Sequence, residues 1–370
     1  MAHSINRREL LKGMALAGAV SSLPGILLAD EAPTGEADKK LQVALVGAGH
    51  VHTPGFNETV KSRSDVKVKY VYDHDRERGE RNAKDLDAQP IDDPAAIWTD
   101  PEIAAVAIFS ETDRHYDLVK AAAKAKKAMF VEKPLCADGK QAKEMADAID
   151  AAGVPFTTGY FSRTIPNYLF LKDQVQKGNF GQVTRVYASN CHEASLGGWF
   201  DGEWRWMADA KIAGVGAFGD LGTHLLDILM WIFGDVESVA AEVKPITRRY
   251  GDIDETGEAL MKFKSGVIGT LAAGWVDVAN PVSFMISGTE GHATIFHGQL
   301  YYKSAKVEGA DGQQPWTKLP EPVRSPVNMF LDAASGKTGL PLVTPQEAAA
   351  RVRAMEAMYA AAREKKWVKV

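Results

Sequence analysis

Between residues 41 and 158, short apolar runs alternate with amphipathic stretches, and that alternation leaves few folds open to the chain. The apolar runs are Leu41 to Val46, Val66 to Tyr72, Ala104 to Phe109, Ala128 to Val131 and Val154 to Thr158. Strands this short and this continuously apolar are buried on both faces, as in a parallel sheet covered by helices on each side. Between them the sequence predicts a helix from Arg114 to Lys126 and a longer one capped by Asp138 and running to Ala152. Strands in strict alternation with helices specify an α/β domain with a doubly wound parallel sheet, here residues 40–160.

Gly47-Ala48-Gly49 follows the first strand directly, and glycines at that turn let the backbone approach a pyrophosphate. The second strand ends in Asp73, where a carboxylate can accept the ribose hydroxyls of NAD and repel the extra phosphate of NADP. Arg76 and Arg78 lie close enough to weaken that preference, so NAD is expected ahead of NADP. The third glycine position is His52, and Thr53-Pro54 reads as an N-cap and first helical residue. A long phosphate loop with a late helix follows, in which His50 or His52 faces the cofactor or is an ordinary loop histidine. Ser110 and Glu132-Lys133-Pro134 fall at the carboxyl ends of strands, where open α/β sheets bind ligands. A Glu-Lys-Pro tripeptide alone is more often a solvated turn, but placed here Lys133 is a catalytic candidate.

Beyond Tyr160 the pattern changes. Pro166 to Lys177 is amphipathic, and strands follow at Val183–Ser189, Val239–Val243, Ala259–Phe263, Val267–Ala273 and Val282–Ser287. Consecutive strands without intervening helices suggest a second domain, residues 161–343, with a largely antiparallel sheet. Within it, a glycine-rich stretch ending at Gly222 leads into an apolar helix from Leu225 to Phe233. Asp220 and His224 share one face if helical, and a carboxylate orienting an imidazole suits general acid/base work. The competing reading is a capping aspartate and a satisfied core histidine. His192-Glu193 and His224 with Asp227 do not make a compact ligand cluster, so no metal is expected. The loop from His192 to Met207 is rich in Gly and Trp, and Arg163, His192, Trp204 and Arg205 are the substrate-side candidates. A packed loop or a subunit contact would use the same aromatic residues.

Residues 1–29 carry Arg7-Arg8, an apolar stretch and a small-residue exit, the pattern of a twin-arginine signal peptide. That predicts periplasmic or otherwise exported protein, handled by the twin-arginine machinery, with an acidic linker at 30–39. The net charge of −5 gives no footprint for nucleic acid, and no later segment reads as a stable membrane span. Cys136 and Cys191 are too few for a disulfide scaffold.

Taken together, Gly47-Ala48-Gly49, Glu132-Lys133-Pro134, Trp204-Arg205, Asp220 with His224, and a final helix from Pro345 to Glu364 resemble the glucose–fructose oxidoreductase / inositol dehydrogenase / MocA (Gfo/Idh/MocA) family. The resemblance covers nearly all of the chain after residue 40. It implies a Rossmann domain, a second α/β domain with an open, mainly antiparallel sheet that often forms a homo-oligomer interface (dimer or tetramer), and a last segment, 344–370, that packs back on the first domain. It further implies an NAD(P)-dependent oxidoreductase moving hydride between nicotinamide and a carbinol of a sugar, glycoside or polyol. Lys133 and His224 would flank that carbinol with Asp220 in support, Glu132 would orient Lys133 or touch the cofactor, and His115 would lie close to the cofactor. Two departures stand out: Ala213-Gly214-Val215-Gly216-Ala217 where relatives carry three glycines, and Glu111-Thr112 where Pro or Asn follows the serine. An exported member is expected to carry its cofactor tightly and recycle it. The rival readings are a redox-neutral NAD-dependent glycosidase, epimerase or lyase, and a non-catalytic sugar sensor.

Overall fold

The computed structural model describes residues 40–370, so the signal-peptide and linker readings at 1–39 lie outside the described residues. The first sheet has six strands: β1 (Leu41–Ala48), β2 (Val66–Tyr72), β3 (Gln89–Ile91), β4 (Ile103–Phe109), β5 (Ala128–Val131) and β6 (Phe156–Thr158). Their order is β3-β2-β1-β4-β5-β6 and every pairing is parallel. β5 is buried at all its positions, as the continuous apolar run requires. Helices α1 (Thr53–Lys61), α2 (Arg76–Asp85), α3 (Ala95–Thr99), α4 (His115–Lys124) and α5 (Gly139–Ala152) connect the strands. Asp138 caps α5 as the sequence predicts, its carboxylate accepting the N–H of Gln141 at 2.7 Å.

The second sheet has nine strands. After helix α6 (Pro166–Gln176) come β7 (Val183–Cys191), a short helix α7 (Ala210–Ala213) and the long helix α8 (Ala217–Phe233). Strands β8 (Val236–Lys244), β9 (Thr256–Phe263), β10 (Ile268–Gly274), β11 (Val282–Gly288), β12 (Gly291–Phe296), β13 (Gln299–Ser304) and β14 (Asp311–Pro315) follow. The chain closes with α9 (Pro326–Ala334), α10 (Pro345–Glu364) and β15 (Val368–Lys369). The sheet order is β14-β13-β12-β11-β7-β10-β9-β8-β15, with β7 and β10 the one parallel pair among the described residues. Ala210–Phe233 is apolar enough and, counted through, long enough to cross a bilayer, unlike the sequence reading. Its apolar window is 72% buried in the protein's own core, so a core helix meets the same test.

Two late helices tie the halves together. Phe330 of α9 lies beside Phe130, in the core that Phe56 and Phe109 also build. That helix falls within 161–343 in the sequence but packs in the first domain's core. α10 serves both: Ala348, Ala349 and Val352 belong to the first domain's core, and Ala354, Met355 and Met358 to the second's. Cys136 and Cys191 are free thiols.

Candidate active site between the two domains

The cleft opens where the strand order reverses, between β1 and β4, the usual ligand crevice of an open α/β sheet. Gly47 turns the chain there with φ +76°, and a Cβ on it would stand 2.5 Å from the Cβ of Ser110 at the end of β4. Only glycine fits. Helix α1 starts at Thr53 behind His52, one residue earlier than the sequence reading, and no side chain caps it. The Thr53 hydroxyl is instead buried without a hydrogen-bond partner, and Oε2 of Glu111, at the start of the next turn, also accepts no hydrogen bond, with only His74 (3.5 Å) and Arg114 (3.8 Å) near it. A phosphate would satisfy the first and a ribose hydroxyl the second, so the residues fit a dinucleotide such as NAD.

Asp73 corrects the sequence reading. Its carboxylate is not free for a ribose: it accepts the N–H groups of Ala48 (2.7 Å) and Asp75 (2.8 Å) and pairs with both arms of Arg78. Arg78 continues to Glu111 at 2.7 Å, and a Cβ on Gly49 would come within 2.9 Å of both the Arg78 guanidinium and Glu111. The ribose end is therefore an Asp73–Arg78–Glu111 cluster rather than a lone aspartate.

His115 is wholly buried, its Nδ1 at 3.2 Å from the carbonyls of Pro134 and Leu135 and its Nε2 at 3.1 Å from that of Ser110. It clasps the two loops that carry Ser110 and Lys133, so it positions them and offers no free nitrogen. Glu132 is also fully buried and receives His52 Nδ1 at 3.1 Å, with His50 Nδ1 at 3.6 Å. Burial would raise the Glu132 carboxyl, but the His52 hydrogen bond and the neighbouring Lys133 outweigh it and hold it well below the usual range. His50, closed off from water, is pushed down to about 3 and is neutral. His50, His52 and Glu132 thus form a compact ligand-type set where none was expected.

Across the cleft, Lys133 Nζ donates to Asp220 Oδ1 at 2.7 Å and to the Asp220 carbonyl at 3.3 Å. Trp275 Nε1 donates to the other carboxylate oxygen at 3.2 Å. Burial opposes ionisation of Asp220, yet the facing Lys133 brings its carboxyl down to about 2. No hydrogen bond joins Asp220 to His224 among the described residues, so the expected orientation of the imidazole by the carboxylate is not formed. His224 is half-buried, and burial together with Lys133 and His52 holds it neutral, well below the ordinary histidine value. His192 is near the same cluster, its Nδ1 accepting the N–H of Ala194 at 3.1 Å.

The other substrate candidates lie elsewhere. Arg163 is a structural residue: it pairs with Asp227 through Nε (2.8 Å) and Nη2 (2.6 Å), and Arg351 of α10 reaches the same carboxylate at 2.9 Å. Trp204 stacks on Trp199 at 4.6 Å, and the exposed Arg205 lies over the Tyr250 ring and donates to Ala208 O. The residue of this loop that reaches the cofactor turn is Trp206, whose Nε1 donates to Gly49 O at 2.9 Å. Sequence reasoning treated Trp206 as one aromatic among several, and Trp275 carried no local signal.

Residues 41–160 match a family profile described as an oxidoreductase family with an NAD-binding Rossmann fold, and residues 168–294 one described as a GFO/IDH/MocA C-terminal domain. The chain is 26% identical over 282 residues to scyllo-inositol 2-dehydrogenase (NAD(+)) of Bacillus subtilis, covering 74% of this chain and 79% of that one. It is 27% identical over 220 residues to levoglucosan dehydrogenase of Pseudarthrobacter phenanthrenivorans, covering 53% of this chain and 56% of that one. Among solved structures, levoglucosan dehydrogenase in complex with NADH and levoglucosan superposes with a TM-score of 0.76 at 20% identity, over 90% of this chain and 100% of that one. The WlbA dehydrogenase of Bordetella pertussis, in complex with NADH and UDP-GlcNAcA, gives 0.77 at 19% identity, over 90% and 99%.

Proposed function

The chain belongs to the GFO/IDH/MocA family of oxidoreductases, and on that basis we propose that it oxidises a secondary carbinol of a sugar, glycoside or polyol. It is an NAD-dependent enzyme acting on CH–OH groups. The relatives named for inositol and levoglucosan support the substrate class. When bound, NAD supplies the acceptor for a hydride from the carbinol carbon.

The protein's part is to hold the hydroxyl and take its proton. An ammonium has three donors, and Lys133 spends two on Asp220, leaving one for the hydroxyl oxygen. His224, kept neutral, accepts the proton. Trp275 fixes the far oxygen of Asp220 and so keeps the carboxylate turned to the lysine. The observation that carries this reading is the Lys133–Asp220 pair, which joins the end of β5 to α8 across the cleft.

The test is NADH formation at 340 nm against a panel of inositols, anhydrosugars and glucosides. Lys133→Met should lower kcat by about 100-fold or more, the usual scale for losing a preorganised donor to the reacting oxygen, while NAD binding persists. Free sugar released from glycosides with no net NADH would overturn the dehydrogenase reading for the redox-neutral one.

We also infer that the protein is exported with its cofactor loaded and recycled in place, supported by Arg7-Arg8 and by the Trp206 contact over the cofactor turn. Denaturing the purified protein should release NAD in near-equal amount; a nucleotide-free preparation would sink the idea. Replacing Arg7-Arg8 with lysines should keep the protein in the cytoplasm. The open face of the second sheet, with Leu260 at 40% and Ile268 at 53% exposure, suits pairing between copies. Ile268→Lys should shift the sedimenting species toward monomer.

A further inference from the structure

Glu132 is fully buried, yet no arginine or lysine side chain reaches its carboxylate among the described residues. Its polar partners are His52 Nδ1 at 3.1 Å, His50 Nδ1 at 3.6 Å and the backbone N–H of Lys133 at 3.1 Å. A buried carboxylate that is ion-paired with no lysine or arginine is costly. The two imidazoles come from one turn, the carboxylate from the end of β5, and their ligand atoms lie within 4.8 Å of one another.

We propose that His50, His52 and Glu132 form a binding site for a divalent transition metal of the zinc class. A tetrahedral centre with bonds of about 2.0–2.1 Å sets its ligand atoms roughly 3.3 Å apart. His52 Nδ1 lies 3.1 Å from Oε1 of Glu132 and His50 Nδ1 3.6 Å from Oε2, each near that spacing, and one ligand atom from each of the three residues lies within 4.8 Å of the others. Two histidines and one carboxylate are a donor set that suits zinc or iron and leaves a coordination position open. Burial is graded to match: His50 and Glu132 are closed off, while His52 is 29% exposed and gives the site a solvent side. Nδ1 of His50 also accepts the N–H of His52 at a long 3.2 Å, and a cation would take over that lone pair.

The site's place gives it a consequence. The His52 ring is 6.3 Å from the His224 ring, centroid to centroid, and Glu132 directly precedes Lys133. An ion held there would present its open position to an oxygen ligand beside the proton-transfer groups, and a vicinal hydroxyl of the substrate is an oxygen of the right kind.

Metal binding is measured independently of turnover, so its failure leaves the dehydrogenase reading intact. The purified full chain is stripped with a chelator and titrated with Zn2+ alone by calorimetry and with Co2+ alone by visible absorption. One equivalent should bind, and Co2+ should give the intense d–d bands of a four-coordinate site. His52→Ala, at a partly exposed position, should weaken both titrations by more than about 100-fold, with an unchanged circular dichroism spectrum. Glu132→Gln and His50→Gln provide second and third readings should one variant lose structure. Absence of saturable Zn2+ binding, or His52→Ala and Glu132→Gln binding as wild type does, would overturn the proposal and leave a hydrogen-bonded His52–Glu132 pair only.

Discussion

Buried carboxylates in this protein take their character from the donors that face them. Asp220 meets a lysine and an indole, Asp73 a bidentate arginine, and Glu255 a ring of neutral donors. Glu255 accepts from Ser195 and Thr247 hydroxyls and from the backbone N–H groups of Ile246, Thr247 and Arg248. Burial pushes its pKa up, but the Thr247 and Ser195 hydrogen bonds and the amides outweigh it, so the net shift is down from 4.5. A folded carboxyl that holds its proton less tightly than the unfolded one adds stability above its unfolded value. That stability is lost as pH falls below about 4.5 toward the depressed value. We expect thermal melts of wild type to fall over that window and those of Glu255→Gln to fall less steeply, from a starting stability about 1–3 kcal/mol lower. At this scale the sequence is read unevenly. Lys133 and Gly47 stand at ends of recognisable strands, so their positions follow from periodicity, whereas Asp220 is reached only through its spacing to His224. The closeness of Arg78 to Asp73 is also legible from spacing, but its second contact, with Glu111 from a distant loop, is not. Arg163 is the mirror case, an apparent ligand residue consumed by Asp227.

Helix α8 is the element on which the site depends, and it begins eight positions before the sequence reading from Leu225. The glycines that argue against a helix are there for close packing. A Cβ on Gly216 would meet Asp254 Oδ1 at 2.4 Å, and one on Gly219 would meet Val215 at 2.4 Å. The first turn is capped from outside: Tyr359 Oη accepts the N–H groups of Gly216 (3.2 Å) and Gly219 (3.0 Å) and donates to Asp254 (3.0 Å). Asp254 in turn accepts the N–H of Phe218 at 2.8 Å. Asp220 sits in that same first turn, where the positive helix end favours a carboxylate. Tyr359→Phe should cost about 1–2 kcal/mol in denaturant unfolding and lower kcat more than it changes the KM for NAD. An unchanged kcat would remove Tyr359 from the positioning of Asp220. Strand β14 is a polar edge strand, while β12 and β13 lie inside the sheet and are six residues each, too short for their alternation to stand out against turns.

Across the whole molecule, the two domains are one body because late residues complete early ones. Arg351 of α10 and Arg163 share the carboxylate of Asp227, and Asp227→Asn would leave two buried guanidinium groups under-paired. We expect a loss of about 3–5 kcal/mol, seen as an earlier urea midpoint for the tryptophan signals of the second domain together with the first. Two separate transitions would contradict that coupling. Phe330→Ala should cost about 3–5 kcal/mol for the same reason, since it empties the first domain's core from the far end of the chain. This fusion was legible only as far as the final helix and not for α9, because its contact with Phe130 is long-range and leaves no local pattern. The Tyr359 cap carries a consequence in time as well. A ribosome adds Asp220 and His224 long before it adds Tyr359, so a nascent chain can build the parallel sheet and still lack a finished acid–base helix. The cap on the first turn of α8 therefore forms only once α10 has been made, so the helix that carries Asp220 and His224 is completed among the last steps of synthesis.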